Sequence, residues 1–312
     1  MIKEFNQSIE TLTQSLVSIF EEDPAYNAII STTLPSREAI LELIRDIRKV
    51  LYPKHFSARD YSQKTIHYYV GSKMMQIEQM LTRQVQLALL RKCEHVDCAE
   101  VSVKILEQAQ DISYTFMQKL PMIRQMMTMD VQAAYDGDPA AADLDQIILS
   151  YPGVFAMMVY RIAHELYLLK VPLIPRMMSE YAHSRTGIDI NPGATIGRYF
   201  FMDHGTGIVI GQTTEIGDYV KLYQGVTLGA LSTRGGQTLR GKKRHPTIRD
   251  NVTIYSNVSI LGGDTIIGHD SVIGGSAFIT QSIPPYSKVS IKNPELHVEA
   301  GKHCPGIEDP EA

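Results

Sequence analysis

The chain has 312 residues, a formal net charge of −4 and 44% hydrophobic residues, which suits two folded units and excludes a disordered chain. The slightly acidic balance gives no general affinity for nucleic acid or anionic membrane. No apolar run approaches the roughly 18 residues of a spanning helix, and the amphipathic start MIKEFNQSIETL does not read as a secretory leader.

The predicted elements begin with helices. Residues 1–185 are poor in Gly and rich in Leu, Ile, Met, Gln, Glu and Arg, with apolar positions at helical spacing. Between Tyr61 and Leu90, for example, Ile66, Tyr69, Val70, Lys73, Ile77, Met80 and Leu81 share mostly one face. Ser36 before Arg37-Glu38-Ala39, then Pro53, Pro121 and Asp136-Gly137-Asp138-Pro139, mark helix boundaries. Six to eight helices are expected in this all-helical N-terminal domain. The Met-rich stretch from Pro121 to Met129 reads as core filler, because Met fits irregular gaps. Cys93, Cys98 and Cys304 form no CxxC pair, so they read as unpaired thiols in a reducing cytoplasm.

From Ile188 the texture changes and a six-residue period appears. Ile190, Ile196 and Met202 are six apart, as are Ile210, Ile216, Leu222 and Leu228, then Ile248, Ile254 and Ile260, then Ile267, Ile273 and Ile279. Such a period matches neither 3.6 nor 7 and is the signature of a parallel β-helix. Three six-residue segments make one triangular coil, and the repeated aliphatic stacks on its counterpart one coil later. The fold expected is α+β, with a β-helix domain over residues 186–290 and a tail over 291–312. Two interruptions stand out. Met202 to Ile210 spans eight residues and inserts a bulge with Asp203, His204, Gly205 and Thr206. Leu228 to Ile248 spans twenty, two more than a whole coil, and reads as an excursion. Loops thrown from a rigid scaffold are where function concentrates.

The segments DINPGATIGRYFFMDHGTGIVIG, VTLGA, RHPTI and SILGG, in that order, resemble the serine acetyltransferases of the hexapeptide acyltransferase family. The resemblance covers roughly residues 136–285 and implies a left-handed β-helix that moves an acetyl group from acetyl-CoA to the hydroxyl of L-serine. It assigns His204 as general base, a role that suits imidazole because its pKa lies near the working pH. It assigns Asp189 to steer that imidazole. It places Arg244 and His245 on the serine carboxylate, with His245 also near the reacting centre, and Asp138 and Asp203 on the serine ammonium. Gly229, Ala230, Ser256 and Gly275 map to the edge along which acetyl-CoA lies, with Lys242 and Lys243 near its phosphates. Read without the resemblance, each has a plainer alternative: a corner histidine, a turn-forming Asp, a helix cap at Asp138, coil-corner packing, a solvated basic loop. No Cys or Ser nucleophile sits in a motif that supports an acyl-enzyme, so direct attack is expected.

The resemblance also implies a trimer or a dimer of trimers, inhibition by cysteine, and no metal. The histidine spacing lacks the HxxxxH of a zinc-dependent carbonic anhydrase on the same fold. Departures are Asn191 where relatives often carry His, Gln212 where Glu is common, and the long 230–243 excursion. Many relatives end in Ile, which docks into O-acetylserine sulfhydrylase. This chain ends GIEDPEA, with Ile307 internal and Ala312 last, so that partnership is not expected. Acceptors other than serine, such as a sugar or homoserine, form the competing reading, and a noncatalytic scaffold a further one.

Overall fold

A computed structural model describes residues 2–22, 34–57, 62, 64–91 and 99–292. Cys93, Cys98, Cys304, Ile307 and Ala312 lie outside the described residues. Among the described residues eight helices come first: α1 Ile2–Glu22, α2 Arg37–Leu51, α3 Pro53–Phe56, α4 Ile66–Leu90, α5 Ala99–Gly137, α6 Leu144–Ser150, α7 Pro152–Leu168 and α8 Ile174–Thr186. The Ser36 hydroxyl accepts from Ala39 N (3.3 Å) and caps α2, whose Ile40, Leu43, Ile44, Ile47 and Leu51 are buried at helical spacing. Pro53 opens α3, where its missing N–H costs nothing.

Pro121 does not end a helix, contrary to the boundary read from sequence. It lies inside α5. Phe116, Met117 and Leu120 before it and Ile123, Met127 and Val131 after it are all buried. Burying that stripe outweighs the roughly 3 kcal/mol that a mid-helix proline costs, since each such side chain contributes about 1.5–3 kcal/mol. Asp138 does not cap a helix either; that task falls to Asp143, whose carboxylate accepts from Gln146 N at 2.7 Å. No single helix among the described residues is long and apolar enough to cross a membrane.

A buried ion pair joins the helices to the domain that follows. Arg161 on α7 donates through Nε and Nη2 to Asp130 on α5 (2.6 and 2.8 Å), and Nη2 also reaches Gly197 O at 2.9 Å. Asp130 Oδ1 accepts in addition from Phe200 N at 3.1 Å. Both side chains are almost fully buried, so each charge depends on the other.

The second domain is a left-handed parallel β-helix of about five coils. Its strands are β1 Asp189–Ile190, β2 Thr195–Ile196, β3 Phe201–Asp203, β4 Val209–Ile210, β5 Glu215–Ile216, β6 Lys221–Tyr223, β7 Thr227–Gly229, β8 Thr247–Ile248, β9 Thr253–Ile254, β10 Ser259–Leu261, β11 Ile266–Ile267, β12 Val272–Ile273, β13 Phe278–Ile279 and β14 Lys288–Val289. They form three faces, ordered β1-β4-β7-β10-β13, β2-β5-β8-β11 and β3-β6-β9-β12-β14. The six-spaced aliphatics fill the interior: Ile190 pairs with Ile210, Ile210 with Leu228, Leu228 with Ile260 and Ile260 with Ile279. All five are buried.

The interval from Leu228 to Ile248 corrects the reading of the excursion. Leu228 lies on the first face and Ile248 on the second, a step that takes six residues from Ile190 to Ile196 and from Ile210 to Ile216. Twenty residues therefore replace six, and the excursion is a long loop inserted at one corner between successive faces. It contains a short 3-10 turn, Gly236–Leu239.

Candidate active site

The site residues fall at two corners flanking the first face. One corner leads into β4 and carries the bulge. At the equivalent place one coil on, the chain turns through a single left-handed residue, Gly225. The bulged coil keeps its counterpart at Gly207 and adds His204 (φ +58°) and Gly205 (φ +86°). Gly205 N donates back to Asp203 O at 2.6 Å, so His204 sits at the tip of a tight turn. A Cβ on Gly205 would stand 2.6 Å from Ile188 Cδ1, which only Gly avoids. The turn pushes the imidazole outward, and 71% of its surface is exposed.

Around it stand carboxylates. His204 Nε2 is 3.8 Å from Asp203 Oδ1, and Asp203 Oδ2 is 3.8 Å from Lys221 Nζ. Asp138 arrives on the segment after α5. Tyr151 Oη donates to its Oδ2 at 2.5 Å and Ala140 N to its Oδ1 at 2.8 Å. The tyrosine contact, then the backbone one, holds the Asp138 carboxyl below the usual carboxylate range. The same bond pushes the Tyr151 phenol up to about 12. Lys221 donates to Gly137 O at 2.6 Å and ties that segment to the coil. Asp189 starts the strand beneath: its N donates to Ile208 O (2.9 Å), and Gly207 N donates to Gly187 O (2.8 Å). The Asp189 and His204 side chains share no hydrogen bond or ion pair among the described residues.

The other corner follows β4 and receives the end of the excursion. Thr213 organises it. Its Oγ1 accepts from Arg244 N (2.9 Å) and His245 N (3.1 Å), so its own proton points to His245 Nδ1, 2.8 Å away. Thr213 N donates to the same Nδ1 at 3.1 Å. A backbone N–H can only donate, so Nδ1 is the lone-pair nitrogen and the neutral ring carries its proton on Nε2. His245 is 8% exposed. Burial, then Arg244, then Lys243, push its pKa down to about 4, so it is neutral at pH 7 and offers Nε2–H as a donor. Gly211 lies under the ring, where a Cβ would meet Cδ2 at 2.0 Å. Arg244 Nη2 donates to Gln212 Oε1 at 2.6 Å, and Gln212 Nε2 donates to Tyr167 Oη at 3.1 Å.

The expected cofactor residues divide the same way. Ser256 and Gly275 touch across adjacent coils at the His204 corner, with a Gly275 Cβ position 3.2 Å from Ser256 O. Gly229 and Ala230 begin the excursion at the His245 corner, and Gly262 N donates to Gly229 O at 3.1 Å. Lys243 is engaged, donating to Thr213 O (2.6 Å) and pairing with Glu215 (3.1 Å). Lys242 is exposed. No cluster of three or more metal-ligating side chains occurs among the described residues.

This arrangement has relatives. A plasmid-encoded serine acetyltransferase of Synechococcus elongatus is 41% identical over 245 residues, 76% of this chain and 77% of that protein. The chain belongs to the serine acetyltransferase family. The Bacillus subtilis serine acetyltransferase is 47% identical over 131 residues, 42% of this chain and 58% of its own. Among solved structures, serine acetyltransferase isoform 3 of Entamoeba histolytica in complex with cysteine superposes with a TM-score of 0.71 at 31% identity, covering 95% of this chain and 96% of that one. No family model matches the chain. The parallel β-helix expected from the hexapeptide period is thus the fold of the family.

Sequence reasoning missed Tyr151, Thr213 and Lys221. Nothing in their local patterns marks them: Tyr151 precedes a helix-opening proline, Thr213 occupies a coil corner, and Lys221 starts a two-sided strand. Each is recruited by a segment distant in sequence.

Proposed function

We propose that this protein transfers the acetyl group of acetyl-CoA to the hydroxyl of L-serine by direct attack, the step that activates serine for conversion to cysteine. One observation carries the reading: an exposed imidazole beside carboxylates at one corner and a guanidinium beside a neutral imidazole at the other. Those two sets are complementary to the ammonium and the carboxylate of one amino acid. His204 takes the hydroxyl proton as the serine oxygen bonds to the acetyl carbon. The carbon–sulfur bond then breaks, and the proton passes to the departing thiolate. Asp203 and Asp138 hold the ammonium, Arg244 the carboxylate, and the Nε2–H of His245 donates beside the reacting centre. The family resemblance assigns Asp189 to orient His204, a contact that the single chain does not make among the described residues.

Within one chain the two corners are separated by a face of about five extended residues, roughly 16 Å, more than one serine spans. The site therefore forms where the His204 corner of one copy meets the His245 corner of the next. Repeated by a 120° rotation, matching the triangular coil, such a head-to-tail contact closes into a trimer, with the helical domain able to join two. Ser256 and Gly275 from one copy and Gly229 and Ala230 from the next line the same junction, leaving an edge of small groups for the pantetheine of acetyl-CoA. The relative solved with cysteine is consistent with this clamp, since cysteine carries the same ammonium and carboxylate.

The test is release of CoA from acetyl-CoA with serine, homoserine or a galactoside as acceptor. Serine turnover well above both others is expected. Preference for the galactoside would mean that the amino-acid clamps are idle and would refute the assignment.

A further inference from the structure

A cavity of about 360 Å³ opens in the helical domain, apart from the candidate site. Arg45 and Arg48 from α2, Arg185 from the last turn of α8, Tyr181, Phe155 and Tyr151 line it. No acidic side chain does. Among the described residues none of these arginines has a carboxylate within ion-pair distance, whereas Arg161, Arg176 and Arg198 each have one. Arg48 lies over Phe56 at 3.9 Å and 5.8 Å from Phe155. Those contacts are with ring faces, and the Arg48 guanidinium has no hydrogen-bond or ion-pair partner among the described residues. α7 begins at the same wall with Pro152, and its N-cap residue, Tyr151, supplies no side-chain acceptor. The positive end of a 17-residue helix is therefore added to three guanidiniums.

Three unpaired arginines in one concave site repel one another, an arrangement that an anion relieves. The planar N–H fork of arginine matches tetrahedral oxyanions. The cavity is larger than such an ion, and its aromatic walls leave room for a small organic group.

We propose that this cavity is a regulatory anion site that takes a doubly charged oxyanion, phosphate or sulfate, free or as the ester of a small organic molecule. Its link to turnover rests on the reading of Asp138 as an ammonium clamp. An anion seated on the first turn of α7 fixes Tyr151, and Tyr151 holds Asp138 through its 2.5 Å hydrogen bond. Occupancy thus pre-organises the clamp and lowers the serine KM without altering kcat.

The experiment has a binding arm and a kinetic arm, both on the full chain at ionic strength held constant with chloride. Calorimetric titration with phosphate, with sulfate and with glycerol phosphate is expected to give saturable binding at one site per chain. Tighter binding of glycerol phosphate identifies an ester as the occupant, and equal or weaker binding identifies the free ion. Arg45→Gln and Arg185→Gln, both exposed and safe for folding, each weaken binding about tenfold or more. Saturating CoA leaves the affinity unchanged. Absence of saturable heat, indifference to both arginine substitutions, or displacement by CoA overturns the site. In the kinetic arm phosphate lowers the serine KM severalfold in the native chain and not in Tyr151→Phe; an unchanged KM in the native chain overturns the regulatory role. Binding without any serine acetylation would sink the functional reading and leave the anion site standing.

Discussion

The two histidines of the candidate site sit on one solenoid under opposite conditions. His204 is turned out to solvent at the tip of an inserted bulge, beside Asp203. His245 is buried over Gly211, held in one tautomer by Thr213 and kept neutral. A base proposed to take a substrate proton must stay open to the incoming reactant and have neighbours that tolerate its charge. A donor that only orients a substrate is better buried, where its hydrogen bond is not shared with water. The contrast teaches that the same side chain acquires different chemistry from the corner that presents it.

The largest effect should come from the exposed member. His204→Ala is expected to lower serine turnover by about 10² or more, read as kcat in a CoA-release assay, while acetyl-CoA binding is retained. Full turnover in that variant would remove His204 from the chemistry and leave the contrast without a base. Arg244→Ala should raise the serine KM by roughly 30-fold, the worth of a charge-assisted pair, with little change in kcat. Gly211→Ala forces a Cβ into the His245 ring and should cost about 1–3 kcal/mol of stability in urea denaturation; a neutral outcome would mean that the His245 pocket is slack. Tyr151→Phe removes one hydrogen bond from Asp138 and should raise the serine KM about fivefold.

The gentlest probe is pH. The folded pKa of His245, about 4, lies below its ordinary 6.5. Between those values the unfolded chain binds a proton that the folded chain refuses. Stability from this group is therefore complete above pH 6.5 and lost as the pH falls toward 4. Thermal denaturation across that window should show a steeper decline in the native chain than in His245→Gln. Parallel profiles would argue that water reaches the ring.

Much of the β-helix was legible because its signal is periodic. Runs of buried aliphatics six residues apart between Ile190 and Ile279 fix face, coil and interior together, and the interruptions at Asp203–Thr206 and after Leu228 mark both candidate corners. The MDHGTG and RHP segments added candidate chemistry. Pro121 was misleading because a local rule met a buried stripe on both sides of it. The excursion was measured against a coil when its neighbours on adjacent faces set the true interval.

What the sequence determined by itself is therefore whatever repeats or is contiguous: the switch from helical to six-residue spacing, the dry interior of the solenoid, and the loops that break it. Tertiary structure alone decided that Lys221 anchors Gly137, that Tyr151 grips Asp138, that Thr213 sets the tautomer of His245, and that Asp130 and Arg161 fasten the two halves. Such contacts join residues 13 to 84 positions apart, and their strength comes from burial and mutual alignment. Neither quantity exists along an extended chain; both arise only when folding has excluded water and fixed the distances.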